Sequence, residues 1–259
     1  MKKKACQTVR NRFFLAGAVC LLFFLSSCGL DVYYILPAPY SVNHTPVYTG
    51  NYDESYFEFF TNENSFESGG GLNFSGTEVY YRIYSSYSTM KSQVETLQSL
   101  ASSDSTSATA ATRLVNATSS SGYGYKPLRA QGYQKVSTLI PYTGENQRVY
   151  IRLSDYYSIE NFSSRILVDG EYLYDSETKT IPIRNTSDAT TFNFGRSGTY
   201  DASPKSGDDD VTYTSMSDGQ KWYVAMFAVA IGFDVTYTPY YSNICYLGAV
   251  TIDAASENN

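Results

Sequence analysis

Trp222-Tyr-Val-Ala-Met-Phe-Ala-Val-Ala-Ile231 is apolar or aromatic at every position, and its reading decides the fold. Ten residues are too few to cross a bilayer core of about 30 Å, which takes ~20 residues as a helix. Asp218-Gly219 supplies a turn before the run and Gly232 ends it. Its β-branched and aromatic content favours a central strand covered on both faces. A buried helix is the alternative. As a strand it sends Val224, Met226 and Ala228 to one face and Ala225, Phe227 and Val229 to the other.

Shorter β patterns surround this run. Glu78–Tyr84 alternates Val79, Tyr81 and Ile83 with Tyr80, Arg82 and Tyr84, so both of its faces carry bulk. Tyr56–Thr61, Tyr133–Ile140, Val149–Leu153 and Ala249–Ile252 read as further strands, with short candidates at Ile181–Arg184 and Thr191–Phe194. Arg165–Val168 and Glu171–Tyr174 flank Asp169-Gly170, a pair that suits a type I′ hairpin turn. Phe66–Gly71, Tyr200–Asp210 and the Tyr-rich Phe233–Asn243 read as turns or loops. One helix interrupts the pattern at 88–102: Met90, Val94, Leu97 and Ala101 form a single stripe, with Ser88 as the expected N-cap. In Ser102–Ser121, 11 of 20 residues are Ser or Thr. Ala108, Ala111 and Val115 allow a second weak helix there, and otherwise the segment reads as a surface loop. The expectation is a mainly β chain, a β-sandwich with one inserted helix.

The N-terminus carries a separate signal. Lys2, Lys3, Lys4, Arg10 and Arg12 precede Phe13–Leu25, an uncharged apolar run of export-signal length. The run ends in Leu25-Ser26-Ser27-Cys28-Gly29, which resembles the lipobox of bacterial lipoproteins at every position. That resemblance implies a thioether-linked diacylglycerol on Cys28, cleavage just before it, and acylation of the new amino group. It implies a membrane-anchored protein of the cell envelope whose partner is the lipid bilayer, through acylated Cys28. Gly29 carries no inner-membrane retention charge, which points toward the outer membrane. The division is then 1–27 signal peptide, 28–36 short tether, 37–253 one domain with its insertion at 102–121, and 254–259 tail. The composition of the chain also resembles that of spirochaete lipoproteins. In the body, Leu36-Pro-Ala-Pro39, Tyr80–Tyr84 and Tyr223–Ala230 resemble pieces of fibronectin type III and immunoglobulin-like sandwiches. The single tryptophan is Trp222, so the early-strand Trp of those modules is missing.

Charge and composition narrow the function classes. The five basic residues of 1–27 stand without an acid, and the rest of the chain holds 14 bases against 25 acids, a net −11. An acidic body argues against a nucleic-acid partner. Of four cysteines, Cys6 and Cys20 would leave with the signal. Acylation of Cys28 would leave Cys245 as a thiol packed among Ile244, Tyr246 and Leu247. A Cys28–Cys245 disulfide requires that the lipobox be unused. His44 is the one histidine, which excludes His₂ and His₃ metal centres, and no nucleophile elbow or phosphate loop occurs. No catalytic residue, metal site or cofactor is expected. Clustered carboxylates leave glycoside hydrolysis open by counting alone, and Asp208-Asp209-Asp210 reads as a solvated acidic loop rather than a calcium site. Five Asn-x-Ser/Thr sequons read as unmodified in a bacterial chain. Twenty-six tyrosines, all beyond residue 28, serve strand packing or a binding surface. Tyr237, Tyr240 and Tyr241, grouped beside Pro239, are the candidate ligand-binding residues, for a glycan or protein partner.

Overall fold

The computed structural model describes residues 34–42, 44, 46, 54–67, 71–117, 122–133, 138–154, 163–174, 176–194, 203–215 and 221–253. The signal, Cys28, most of the tether, the tail, and the expected strand positions 134–137 lie outside the described residues. Within 35–259, which forms one unit, the elements run β1 (Tyr40–Ser41), β2 (Phe57–Phe60), β3 (Asn73–Tyr84), α1 (Tyr87–Ser103), α2 (Thr109–Val115), β4 (Lys126–Pro127) and β5 (Arg129–Ala130). There follow β6 (Ile140–Pro141), β7 (Arg148–Arg152), β8 (Arg165–Val168), β9 (Glu171–Tyr172), β10 (Pro182–Ile183), β11 (Val211–Thr212), β12 (Lys221–Phe233), β13 (Pro239–Tyr241) and β14 (Cys245–Asp253).

The fold is mainly β, a sandwich with a small helical insert. One sheet has the order β1-β2-β7-β8-β9. The other is built on β11-β3-β12-β13, with β14 also paired to β12 and β4 and β6 to β3. β12 lies in the middle, antiparallel to β3 from Tyr223↔Tyr84 to Phe233↔Asn73, and to β14 from Lys221↔Asp253 to Ala228↔Cys245. The apolar run beginning at Trp222 is therefore a strand, and both of its faces are buried. Val224, Met226 and Ala228 join Phe57, Phe59, Val149, Ile151 and Ile166 of the opposing sheet. Ala225, Phe227 and Val229 meet Met90, Val94 and Leu97 of α1 and Ala110, Ala111 and Leu114 of α2. The molecule thus has three layers: sheet, sheet, and two helices. The continuity of apolar residues in β12 follows from its place in the middle layer.

Local chemistry accounts for the ends of these elements. Ser86, not Ser88, caps α1: its extended backbone (φ −131°, ψ 123°) lets Oγ accept from Thr89 N at 3.4 Å. The Ser/Thr-rich insertion contains a packed helix, because Ala110, Ala111 and Leu114 fall on one side of α2 and bury it. The β8–β9 hairpin turns at Asp169 (φ 53°) and Gly170 (φ 89°), two positive angles as a type I′ turn requires. At Gly76 (φ 136°), an added Cβ would lie 2.1 Å from the carbonyl oxygen of Ile140, so only glycine lets β6 approach β3. The strand expected at Ile181–Arg184 shortens to β10, and that at Thr191–Phe194 to a single bridge between Thr191 and Ile183. The loop expected at Phe233–Asn243 contains β13, which extends the sheet beside Ile231–Phe233.

Candidate functional site

The sequence Asp208-Asp209-Asp210 leads to a buried ion-pair network. The solvated-loop reading holds for exposed Asp209 and is corrected for Asp210, which is fully buried (0% exposed) and faces Arg184, itself 2% exposed. The guanidinium grips Asp210 with two contacts, Nε to Oδ2 at 2.9 Å and Nη2 to Oδ1 at 2.6 Å, and Nη2 also reaches Asp208 Oδ2 at 2.8 Å. Tyr81 OH donates to Asp210 Oδ2 at 2.7 Å and accepts from Asn185 N at 2.7 Å. Burial alone would lower the Arg184 pKa, but the hydrogen bonds and charge of Asp210 and Asp208 hold it above its ordinary value. Tyr81 is pushed well above its ordinary value by burial and by the Asp210 charge. Two planar, oppositely charged groups in this geometry form one of the stronger pairings available to side chains.

This network has a local structural purpose. Asp210 precedes β11, and its carbonyl accepts from Ile83 N at 3.0 Å. Arg82 adds bonds to Thr212 Oγ1 at 2.5 Å and to the Val211 carbonyl at 3.2 Å. A two-residue parallel strand, paired as Val211↔Ile83 and Thr212↔Tyr84, is thereby fixed to the end of β3.

Beside the ion pairs opens a polar cleft of about 280 Å³, lined by Arg184, Asp188, Thr190, Ser203, Lys205 and Asp208 among others. Thr190 is 5% exposed, and its buried Oγ1 makes no hydrogen bond. Hydroxyls, carboxylates and cations line most of this space. Such a lining suits a neutral ligand that offers both donors and acceptors. Asp208 and Asp210 already spend oxygens on Arg184, and among the described residues no group of three His, Cys, Asp or Glu is placed to hold a metal ion. Sequence reasoning singled out the acids here and missed Arg184, because nothing local in Ile181–Arg184 marks its partners 24 and 26 residues later.

The three tyrosines proposed from sequence all lie in the β12–β13 hairpin, at different places along it. Tyr237 is 85% exposed at the tip of the β12–β13 hairpin. Tyr240 and Tyr241 lie on β13, opposite Gly232 and Ile231. Tyr241 packs partly buried against the helix-side core, and burial raises its pKa. The hairpin and the cleft occupy opposite edges of the sheet, since β11 and β13 end the order β11-β3-β12-β13. They also occupy opposite ends of β3, at Phe74 and Ile83 respectively.

The remaining reactive groups are structural. The His44 ring stacks on Tyr56 with centroids 3.8 Å apart, and its Nε2 lies 3.1 Å from the Tyr56 carbonyl. Cys245 is a buried free thiol whose pKa burial pushes up to about 12, as expected of a cysteine that serves packing. Buried Glu63 accepts from Thr143 N, Gly144 N and Gln147 Nε2 at 2.7–2.9 Å, which closes the loop before β7. No family model matches the chain, and neither a curated protein nor a solved structure is similar to it.

Proposed function

We propose that this chain is a bacterial lipoprotein, held on the envelope membrane by acyl groups on Cys28, with a non-enzymatic structural or binding role. The observation that carries the reading is the sequence itself. A basic start and the apolar run Phe13–Leu25 lead directly into Leu25-Ser26-Ser27-Cys28. Two or three acyl chains hold stably where one is marginal, at about 0.8 kcal/mol per buried methylene. The short distance from Cys28 to buried Leu36 keeps the domain near the bilayer. The uncharged Gly29 makes the outer membrane the proposed destination. The net −11 body argues against nucleic acid as a partner. Metabolic labelling with palmitate tests the anchor: wild type incorporates the label and Cys28→Ala does not. Label retained by Cys28→Ala overturns the assignment.

A second reading, an envelope lipoprotein that binds carbohydrate, is supported by the polar cleft beside Arg184. A glycan array separates the two readings. Specific sugar binding that is lost in Ser203→Ala or Asp188→Ala favours the cleft. Loss instead in Tyr240→Ala or Tyr241→Ala favours the tyrosine hairpin. Absence of any sugar binding leaves the first reading alone standing.

A further inference from the structure

Three described residues expose more apolar side chain than any other large hydrophobic: Tyr237 at 85%, Val235 at 75% and Ile35 at 59%. The others in this class, Tyr40, Tyr142 and Tyr213, stand at 41–44%. Two of the three lie in one hairpin, and the third directly precedes Leu36, which lies against that hairpin's base. Val235 and Tyr237 form the tip of the β12–β13 hairpin, whose last β12 residues are Gly232 and Phe233. Ile35 adjoins Leu36, and both Leu36 methyls would lie 3.4 Å from a Cβ placed on Gly232. The chain therefore enters the domain beside this hairpin.

The tip is held in shape. Asp234 Oδ1 accepts from Thr236 N at 2.8 Å, Thr238 N at 2.9 Å and Thr236 Oγ1 at 2.7 Å. Tyr237 N donates to the Asp234 carbonyl at 3.0 Å. Tyr237 itself is held at φ 62°, a region that bulky residues rarely adopt. A side chain kept there and almost wholly exposed gains nothing from the fold. Aromatic and aliphatic residues presented together in this way suit the boundary between headgroups and acyl chains, where tyrosine is enriched.

We propose that Ile35, Val235 and Tyr237 rest on the bilayer that holds the Cys28 acyl chains, and so orient the domain. The inference builds on the lipoprotein reading above. Only seven residues lie between Cys28 and Leu36, so the eight steps of chain put the anchor within about 28 Å of the hairpin base even when that stretch is fully extended. The one ionisable acid of the tip, Asp234, is committed to Thr236 and Thr238, and no basic residue lies between Phe233 and Tyr241. The contact is therefore apolar rather than a headgroup-charge interaction. The Arg184 cleft, about 30 Å along β3 from this end, then faces away from the membrane.

The test uses the mature acylated protein in vesicles of phosphatidylethanolamine and phosphatidylglycerol. Cys28 is acylated and Cys245 buried, so Tyr237→Cys supplies one reactive thiol for an environment-sensitive fluorophore, with Ser187→Cys at the cleft end as control. The label at 237 should shift to the blue on reconstitution and be quenched by lipids carrying a spin label, while the label at 187 stays aqueous. If the protein floats with the vesicles and both labels stay aqueous, the surface proposal fails while the anchor stands. If the unlabelled protein does not float, anchor and surface contact fail together. A label at 237 already shielded in detergent, at rising protein concentration, assigns the tip to a second copy of the chain and overturns the membrane contact.

Discussion

Where Gly232 faces Phe74, the β3–β12 pair ends in Ile35, Val235 and Tyr237, apolar side chains in water. Where Val211 pairs with Ile83, it ends in Arg184 and Asp210, charged side chains out of water, with Asp208 at the edge of the cleft. The usual distribution of polarity is inverted at both ends. The buried charges are explained from within: each finds its partner, and together they fix a strand too short to hold itself. The exposed apolar tip finds nothing within the fold. A feature that the chain satisfies by itself speaks of stability, and one that it leaves unsatisfied speaks of something outside it.

The most severe test of the frame joining these ends is a charge in β12. Val224→Lys and Ala225→Lys point to opposite faces, and both faces are covered. Each buries an ammonium without a partner, which costs more than a domain's ~5–15 kcal/mol of stability can readily absorb. Neither variant should show a cooperative thermal transition near that of wild type. If one of them melts within a degree or two of wild type, one covering layer is dispensable. Phe227→Ala, which removes a ring stacked edge-on to Tyr125, should cost about 3–5 kcal/mol in urea unfolding.

Arg184→Ala strikes the polar end alone. It strands Asp210 fully buried and unpaired, which should cost about 3–5 kcal/mol by chemical denaturation. Replacing the whole set with apolar groups is a different experiment and can be close to neutral. Arg184→Met combined with Asp210→Leu should therefore recover much of the loss. If Arg184→Ala leaves stability unchanged, the network is not what fixes β11, and the charges belong to the cleft.

These two regions also differ in how far the sequence discloses them. β12 is legible because burial on both faces leaves an unbroken apolar run. The β8–β9 turn is legible because Asp169 and Gly170 both adopt positive φ, and α1 because its stripe recurs every turn. Such signals are local. The pairing of Arg184 with Asp210 is not, since it depends on two loops meeting across β3, and no spacing rule links them. Helix α2 is only faintly marked in its Ser/Thr-rich composition: the stripe Ala108, Ala111 and Val115 suggests it, and the buried side is Ala110, Ala111 and Leu114. Cys28 is legible as a motif and lies outside the described residues, so the anchor rests on sequence while the cleft rests on structure. Tyr237, Tyr240 and Tyr241 read from sequence as one loop because Pro239 and its polar neighbours hide β13, the strand that takes up Tyr240 and Tyr241 while Tyr237 stays at the tip.

Alkaline pH separates the core from both ends. Burial raises the pKa of Cys245 to about 12 and that of Tyr246 to about 12, and lifts Tyr84 and Tyr125 above the ordinary tyrosine value. In the unfolded chain the same groups ionise near their ordinary values of about 8.5 and 10. As pH rises past these values the unfolded state releases its protons first, so stability falls. Melting temperature should be level from neutral pH to about 8.5 and decline beyond it. Absorbance of tyrosinate should lag in the folded protein and jump at unfolding. A melting temperature flat to pH 11 would mean that these hydroxyls reach water.

The smallest expected effect is the most diagnostic for the apolar end. Tyr237 occupies the left-handed region at φ 62°, which asparagine accepts more readily than tyrosine. Its side chain is 85% exposed, so little packing is lost on replacement. Tyr237→Asn should therefore leave stability within about 0.5 kcal/mol of wild type or slightly above it. The same substitution removes the largest apolar group of the tip. Loss of orientation on vesicles without loss of stability is the outcome expected of a residue kept for contact with a surface. A clear fall in melting temperature would instead make Tyr237 part of the packing of the hairpin, and the contrast between the two ends would narrow to one of exposure alone.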